Sequence, residues 1–507
     1  MNIAAAKSPV QKLCAFLFSA TLFLPSGAAF AAATPSDGEA LRADLLQHYP
    51  SLAWVERYRQ AYPAEAQGND ALWRGAHVPA LETTGEIVDA LAALQDQHIG
   101  LVGPKAGKQQ TLGVLFRTSS DGAMHVWRHV DPAVSSVRLG DRVLEVNGQP
   151  AGRWLEQAGE RTFGGNRRSR MAEAALKLGA ATPAYHAAVG VADKVRLTVR
   201  TGEGETRTVE LAYRPVNEQS FVALSQAVER ADLPESMQVL GYRIGTVRFG
   251  AFAPQFDADF LAAAEAAEGP GATEDGPMLA GYCAVVRKRL ARINALAEHA
   301  DILLIDLRGN LGGFAREARL LARALTPRPL PRTYDVFRSG TPGSLKLVEQ
   351  VEDPSCGSIA TPRPLVVWTD AGTRSGGEFM ASWLWATGAV VVGERTIGAG
   401  GGRDSAATGF LLPRSGLRVN YSGNFSVFDH QAAIKPGEIG ESTLIDLISR
   451  DGFAPSRTHP FAIQAVGMRP DLALPTTADD LADGGLAAVK RMMHELIQRK
   501  LLPPPRQ

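Results

Sequence analysis

The feature that most constrains the fold is an alternation of short apolar strands with helices, which begins near residue 238. The apolar run 302–305 precedes a helical pattern near 313–325, and the buried run 365–368 precedes another over about 376–387. Strands that alternate with helices in this way form a layered α/β domain, and ligands of such domains bind at the carboxyl ends of the strands. We therefore expect the functional residues to follow these two strands.

Both strands run into a glycine-rich turn. The first turn reads Asp-Leu-Arg-Gly-Asn-Leu-Gly-Gly over residues 306–313, and the second reads Thr-Arg-Ser-Gly-Gly-Glu over residues 373–378. Such turns at helix starts present backbone N–H groups that can hold a developing oxyanion. Ser375 in the second turn has an exposed hydroxyl and is a candidate nucleophile, although a lone serine at this place is more typical of a helix N-cap.

A helical region is predicted over residues 34–105. Thr83 and Glu86 form a capping-box pattern, and apolar residues at helical spacing follow it. This helix ends in the sequence Gln-Asp-Gln-His-Ile-Gly, where Gly100 stops it. The sequence thus places His98 at or just past the end of a helix.

A separate β-rich module is predicted over residues 106–215. The run 139–150 contains an alternating strand and an Asn-Gly turn, which is a strong hairpin signal, and residues 195–199 alternate as a last strand. The run Leu-Gly-Asp-Arg-Val-Leu-Glu-Val-Asn-Gly-Gln resembles the PDZ family. The helical-looking stretch 153–189 is longer than that family usually carries at this place.

The first 33 residues have the pattern of a secretory signal. Lys7 and Lys12 precede the apolar run 13–24, and small residues follow it. The run is too short to span a membrane, and no other stretch of the sequence is apolar enough to do so. We therefore expect cleavage after Ala31 or Ala33 and a periplasmic or secreted protein. The alternative is a free amphipathic helix.

Composition excludes several functions. The 53 basic residues balance the 53 acidic residues, which argues against a general nucleic-acid binder because such proteins carry a basic surplus.

After cleavage of the signal, Cys283 and Cys356 remain, and they form either a disulfide or two buried thiols. Because the chain has no CxxC or HExxH pattern, we predict neither a metal site nor a cofactor.

Four motifs, in order along the chain, resemble peptidase family S41, which comprises the C-terminal processing and tricorn-type proteases. They are the turn 306–313, Thr-x-Ser-x-Gly-Glu-Phe at 373–379, Gly-Glu-x-Thr-x-Gly at 393–398, and Val-Gly-x-x-Pro-Asp at 466–471. The resemblance covers about residues 80–480. It implies an α/β fold with a crotonase/ClpP-like layered core, an inserted PDZ-like β domain and an N-terminal helical region.

The resemblance also implies roles for residues in the glycine turns. Ser375 occupies the nucleophile position, and the N–H groups of Gly312 or Gly313 and of Gly376 occupy the oxyanion-hole positions. In the processing-protease branch a lysine serves as the general base, but the matching residue here is Ala399. Alanine cannot accept a proton, so a Ser-Lys dyad is excluded.

A histidine is the expected base instead. The tricorn-like branch, and relatives similar to interphotoreceptor retinoid-binding protein, carry an Asp-x-His motif before the PDZ module, and Asp96-Gln97-His98 matches it. The ordinary pKa of histidine, about 6.5, lies close to working pH and suits a general base. The rival candidate is His430, which follows Asp429.

A third group should orient the histidine. The tricorn pattern supplies a glutamate for this role, and the matching residue here is Gln464. An amide can hold an imidazole tautomer but cannot stabilise imidazolium as a carboxylate does. Either activity is reduced, or Glu438, Glu441 or Asp96 takes over the role.

The PDZ-like module carries its own prediction. If Leu112, Gly113 and Val114 form a carboxylate loop, their N–H groups capture a peptide C-terminus and the strand adds an extended peptide. The alternative is that the module only packs over the active site.

Taken together, the sequence predicts an exported serine endopeptidase that acts on polypeptides, with no nucleic-acid partner. The alternatives are a non-catalytic ligand- or peptide-binding protein on the same fold and a crotonase-type acyl-CoA enzyme, which fits a secretory signal poorly. The predicted parts are a signal peptide (1–33), an N-terminal helical region (34–105), a PDZ-like domain (106–215), an S41-like α/β peptidase core (235–485) and a C-terminal helix and tail (486–507).

Overall fold

The computed structural model describes residues 34–505, apart from residues 69, 76, 103, 218–232, 268–274, 353 and 403–408. The predicted signal, residues 1–33, lies outside the described residues. Within the described part of the chain, no helix is long and apolar enough to cross a membrane.

The N-terminal region is helical, and it packs against a later part of the chain. Its helices are α1 (Asp37–His48), α2 (Leu52–Ala61), α3 (Ala71–Arg74) and α4 (Thr84–Ala92). The capping box predicted at Thr83 is present, because the Thr83 side chain accepts from the Glu86 N–H and the Glu86 carboxylate accepts from the Thr83 N–H. After α4 the chain enters β1 (Gly100–Val102), which pairs antiparallel with residues 418–420. The segment that carries His98 is therefore fixed between a helix end and a strand.

A β-rich module follows. Its strands are β2 (Gln110–Thr111), β3 (Val114–Thr118), β4 (Met124–His129), β5 (Arg142–Val146), β6 (Gln149–Pro150), β7 (Ala180–Ala181), β8 (Lys194–Arg200), β9 (Thr206–Ala212) and β10 (Arg214–Pro215), and its helices are α5 (Ala151–Gly159), α6 (Arg167–Gly179) and α7 (Pro183–Ala188). The main sheet has the order β3-β4-β5-β8-β9. The predicted Asn-Gly hairpin joins β5 to β6, and both turn residues have positive φ, 52° for Asn147 and 81° for Gly148.

The rest of the chain forms the α/β core. Its strands are β11 (Ser236–Val239), β12 (Tyr242–Arg248), β13 (Ile302–Asp306), β14 (Arg332–Arg338), β15 (Ser344–Glu349), β16 (Leu365–Thr369), β17 (Val390–Gly393), β18 (Gly401–Gly402), β19 (Gly409–Leu411), β20 (Arg418–Asn420), β21 (Asn424–Asp429), β22 (Gly437–Gly440), β23 (Phe461–Ala462) and β24 (Leu472–Ala473). Its helices are α8 (Ala258–Ala267), α9 (Asp275–His299), α10 (Ala315–Leu325), α11 (Gly376–Ala386), α12 (Glu441–Ile448), α13 (Ala478–Ala482) and α14 (Leu486–Gln498).

The central sheet has the order β11-β12-β13-β16-β17-β24, and every pair after the first is parallel. Helices α9, α10 and α11 share one apolar cluster with the sheet, and α14 shares another with strands β13, β16 and β17. Because both faces are covered, β13 is buried along its whole length, as its uninterrupted apolar sequence predicts. In the register of β13 and β16, Asp306 lies opposite Trp368, so the glycine turns that follow the two strands are neighbours.

A second sheet, of order β18-β21-β14-β15-β22, packs against α2 and α12. The two cysteines, whose pairing the sequence left open, are joined in a disulfide that links α9 to the loop before β16, with 4.8 Å between the Cα atoms. The loop is thereby tied to the helix layer of the core.

Candidate active site

Ser375 lies in a strained turn between β16 and α11. Its φ is 49° and its ψ is −121°, a conformation that residues with a Cβ rarely adopt. The Ser375 N–H donates to Oε2 of Glu378 at 3.0 Å, which helps to hold the turn in place. Ser375 therefore precedes the first turn of α11 with its backbone fixed from within the core.

Glu378 ties this turn to the motif at 393–398. Its carboxylate also accepts from the N–H groups of Gly398 at 2.8 Å and Ala399 at 2.7 Å, and from the Thr396 hydroxyl. Burial is the largest influence and raises the pKa of Glu378 to about 7, while the hydrogen bonds act in the opposite direction. Ala399, which replaces a lysine base, thus serves as a backbone anchor for Glu378.

His98 reaches Ser375 from the N-terminal region. Its Nε2 lies 3.2 Å from Ser375 Oγ, although the two residues are 277 positions apart. Asp96 shapes the turn, because its Oδ1 accepts from the His98 N–H at 2.9 Å and lies 3.7 Å from His98 Nδ1. The Tyr49 hydroxyl donates to the other oxygen, Oδ2, at 3.2 Å, and Asp96 is fully buried. The segment that bears His98 is therefore held by a buried carboxylate.

The other predicted orienting residues have different surroundings, and of the three only Gln464, whose side chain lies beside Tyr49, is near the histidine segment in the part of the chain that the structure describes. Gln464 is fully buried, and its backbone carbonyl accepts from the indole N–H of Trp54, but no hydrogen bond joins its side chain to His98 in the described part of the chain. Glu441 pairs with Arg338 at 2.8 Å. Glu438 is exposed on β22.

His430, the rival base, is far from Ser375. It faces Trp385 near the C-terminal end of α11, with 6.3 Å between the ring centroids, and it stacks on Phe461. Ser375 precedes the other end of that helix, and about 15 Å of helix separates it from Trp385 at the rise of an α-helix. The structure therefore places His98, and not His430, beside the serine.

The first glycine turn packs directly on Ser375. A Cβ at Gly312 would lie 2.7 Å from the Ser375 Cβ, so only glycine allows this approach. The Gly312 N–H already donates to Asn310 Oδ1 at 2.8 Å. Gly313 forms a parallel β-bridge with Phe252, because the Phe252 N–H donates to the Gly312 carbonyl and the Phe314 N–H donates to the Phe252 carbonyl.

Residues in the rest of the 306–313 motif support the turn. Arg308 forms two hydrogen bonds to Asp306, at 2.8 and 2.7 Å, and its guanidinium stacks 3.5 Å from the Trp368 ring centroid. Asp370 accepts from the Gly309 N–H at 2.9 Å. These contacts give the motif a structural role beside the site.

The β-rich module is joined to the core by ion pairs, one buried and one partly buried, which sequence reasoning missed. Arg374, the residue before Ser375, binds both carboxylate oxygens of Glu173 on α6, at 3.1 and 2.6 Å. Arg168 pairs with Glu394 at 3.0 Å. Glu173 lies 201 positions from Arg374, so no local pattern indicated the pair.

Two of the three donors in the predicted carboxylate loop are engaged within the chain. The Leu112 N–H donates to the Gly179 carbonyl at 2.9 Å, and the Gly113 N–H donates to Thr111 Oγ1 at 3.0 Å. Helix α6 packs against β3, and a Cβ at Gly179 would lie 2.4 Å from the Val114 carbonyl oxygen. This close approach of α6 restricts the space beside β3 for an added peptide strand.

In the part of the chain that the structure describes, no group of three or more His, Cys, Asp or Glu side chains is placed to hold a metal ion.

Comparison with known proteins gives these residues a family context. The family model described as peptidase family S41 matches residues 281–423, which include Ser375 and the first glycine turn but not His98. A carboxyl-terminal-processing protease of Synechocystis sp. (strain ATCC 27184 / PCC 6803 / Kazusa) is 34% identical over 134 residues. That match spans 26% of this chain and 29% of the Synechocystis protein.

Two solved structures share the fold. Mature CPAF complexed with lactacystin is 18% identical to this chain and superposes with a TM-score of 0.58. The aligned residues cover 92% of this chain and 98% of that chain. Another structure of mature CPAF is 17% identical, with a TM-score of 0.56 and coverage of 92% and 97%. The predicted α/β fold class is confirmed by this likeness.

Proposed function

We propose that this chain is a serine peptidase of family S41 that cleaves polypeptides, with Ser375 as the nucleophile and His98 as the general base; the match of residues 281–423 to the family model supports the family assignment. The observation that carries the proposal is the 3.2 Å contact between His98 Nε2 and Ser375 Oγ. It joins two distant segments at a strained serine turn, which a helix N-cap does not require.

The reaction follows from this arrangement. Ser375 Oγ attacks the peptide carbonyl carbon while His98 Nε2 takes its proton, and a tetrahedral intermediate forms. The proton passes to the leaving amine as the C–N bond breaks, and water then hydrolyses the acyl-enzyme by the same route. Because the Gly312 N–H is engaged by Asn310, the oxyanion is assigned to the N–H groups of Gly313 and Gly376.

Asp96 is assigned the orienting role in place of Gln464. Its carboxylate is buried, bonded to the His98 backbone and 3.7 Å from Nδ1, so its charge favours the imidazolium that forms during the reaction. Glu438 and Glu441 are left out because one is exposed and the other is paired with Arg338.

The proposed enzyme acts outside the cytoplasm, in the periplasm or as a secreted protein. The secretory pattern of residues 1–33 supports this, and so does the Cys283–Cys356 disulfide, since disulfides persist in oxidising compartments.

The test is cleavage of an unstructured polypeptide such as casein by the purified mature chain. We expect Ser375→Ala and His98→Ala each to lower kcat/KM by about 10³-fold or more while the circular dichroism spectrum stays unchanged. Exposed residues of the same types provide matched controls, Ser358→Ala and His494→Ala, which should cleave at the wild-type rate.

Full cleavage by the Ser375→Ala protein would overturn the proposal. The alternative, a non-catalytic peptide-binding protein, is favoured by Ala399 and Gln464 in place of lysine and glutamate. It would be supported if the wild-type chain bound casein and released no fragments.

A further inference from the structure

A cavity of about 410 Å³ lies between the β-rich module, the His98 segment and the serine turn. Residues next to both proposed catalytic side chains line it: Gln97 and Ile99 flank His98, and Arg374 precedes Ser375. Leu311, which precedes Gly312 in the first glycine turn, completes this side. A substrate residue adjacent to the bond under attack would therefore meet the cavity first.

We propose that this cavity binds a large apolar side chain of the substrate, next to the scissile bond, and rejects lysine and arginine. The inference rests on the proposed peptidase function and names its substrate class. The volume exceeds that of any single side chain, so an aromatic residue fits with its neighbouring backbone.

The walls are mainly apolar. Leu101 comes from β1, Leu115 and Trp127 from β3 and β4, and Leu176 and Tyr185 from α6 and α7. Such walls gain free energy by removing apolar surface from water, at about 25 cal/mol per Å². Leu176 and Tyr185 belong to the stretch 153–189, the part in which the module departs from the PDZ pattern.

The charges around the cavity explain the exclusion of cations. Among the described residues that line the cavity, three are basic (Arg128, Lys177 and Arg374) and one is acidic (Glu173). Glu173 is held on both oxygens by Arg374 and lies 3.9 Å from the Lys177 ammonium. Lys177 also stands over the ring of Tyr185 at 4.8 Å. A substrate lysine or arginine would enter a site of net positive charge whose carboxylate is already paired, which is unfavourable at low dielectric.

The test is cleavage of a proteome-derived peptide library by the purified mature chain, with mass-spectrometric mapping of every cut. We expect Phe, Tyr, Leu and Met to be enriched at one position beside the cut, and Lys and Arg to be depleted there by about 10-fold or more. A profile with no apolar preference at either side of the cut, or one dominated by Asp and Glu, would overturn the proposal. This measurement needs no substitution, so it does not depend on a variant folding.

Two variants sharpen the result. Leu176→Trp fills the cavity and should lower kcat/KM for a Phe-bearing peptide about 10-fold relative to its Ala-bearing counterpart. Lys177→Glu should admit Lys and Arg at the same position. Leu139→Trp and Lys435→Glu, which change exposed residues of the same types, are the controls.

The outcomes separate this inference from the proposed function. If Ser375→Ala abolishes all cuts but the two variants leave the profile unchanged, the cavity assignment is wrong and the peptidase stands. If Ser375→Ala leaves the cuts in place, both fail.

Discussion

The two halves of the candidate site are built differently. The serine half, residues 306–313 and 373–378, lies inside the α/β core and is fixed by bonds to Glu378 and by close glycine contacts. The histidine half lies in the N-terminal region, where Asp96 is held by the Tyr49 hydroxyl. The nucleophile is thus a property of the core, whereas the base depends on how a separate region docks.

That docking involves several remote contacts. Arg338 of the core donates to the Tyr49 carbonyl at 3.0 Å, and the indole N–H of Trp54 donates to the Gln464 carbonyl. Arg414 donates from its backbone to Asp37 at 2.7 Å. A change on the histidine side should therefore reduce catalysis with the serine turn intact, whereas a change on the serine side should affect stability as well.

The largest difference is expected for Asp96→Asn. The substitution keeps the shape of the side chain but removes the buried charge next to His98, so kcat should fall by about 10² to 10⁴-fold with little change in KM. Steady-state kinetics on a fluorogenic peptide measures this, with the exposed Asp446→Asn as control. A kcat equal to wild type would transfer the orienting role to another residue.

Glu378→Gln should act on both activity and stability. The amide weakens the bonds that hold Ser375, Gly398 and Ala399, so we expect kcat to fall about 10-fold and the free energy of unfolding to fall by about 1–3 kcal/mol near neutral pH. Urea denaturation at fixed pH gives the second quantity. Unchanged stability together with unchanged kcat would show that the serine turn does not need this carboxylate.

The pH dependence of stability provides a separate test of Glu378. Its pKa is raised to about 7 in the folded chain, so the native state holds a proton that the unfolded state loses above its ordinary pKa of 4.5. The wild-type free energy of unfolding should therefore fall as pH rises from about 4.5 to about 7. The Glu378→Gln protein should lack this fall in the free energy of unfolding. Identical pH slopes for the two proteins would contradict a raised pKa at Glu378.

Tyr49→Phe should have a smaller effect, confined to the histidine half. The change removes the O–H group that donates to Asp96 and leaves the ring in its buried place, so kcat should fall about 3 to 10-fold. Ser375 labelling in the absence of substrate should fall in parallel. If Tyr49→Phe lost more labelling than Asp96→Asn, Tyr49 rather than Asp96 would be the more important support of His98.

Glu438→Gln should have the smallest effect. Its side chain is exposed on β22 and has no place in the proposed site, so kcat/KM should stay within about 2-fold of wild type. A loss of 10-fold or more would return Glu438 to the set of candidate orienting residues.

The difference between the serine half and the histidine half also explains what the sequence could predict. The helices after β13 and β16 begin within a few residues of their predicted starts, because glycine turns and helical spacing are local signals. The place of Ser375 followed from an ordered set of motifs within the core. His98 needed the family resemblance, since no local pattern joins residues 277 positions apart.

Contacts between distant regions of the chain could not be predicted from the sequence. Glu378 belongs to the motif at 373–379, but its bonds to residues 396–399 depend on how two turns pack. The long helical stretch in the β-rich module was visible, whereas its position along the edge of β3 was not. The disulfide remained open because only the fold brings Cys283 and Cys356 within reach, across 73 residues.

The central claim is that His98 activates Ser375, and fluorophosphonate labelling followed by mass spectrometry of the modified peptide tests it most directly. We expect wild-type chain to carry the adduct on Ser375 at neutral pH, with a labelling rate that falls as the pH is lowered and histidine becomes protonated. His98→Ala should label at least about 10²-fold more slowly, while His494→Ala labels at the wild-type rate. Equal labelling of the wild-type and His98→Ala proteins, or no adduct on Ser375 in either, would contradict the claim.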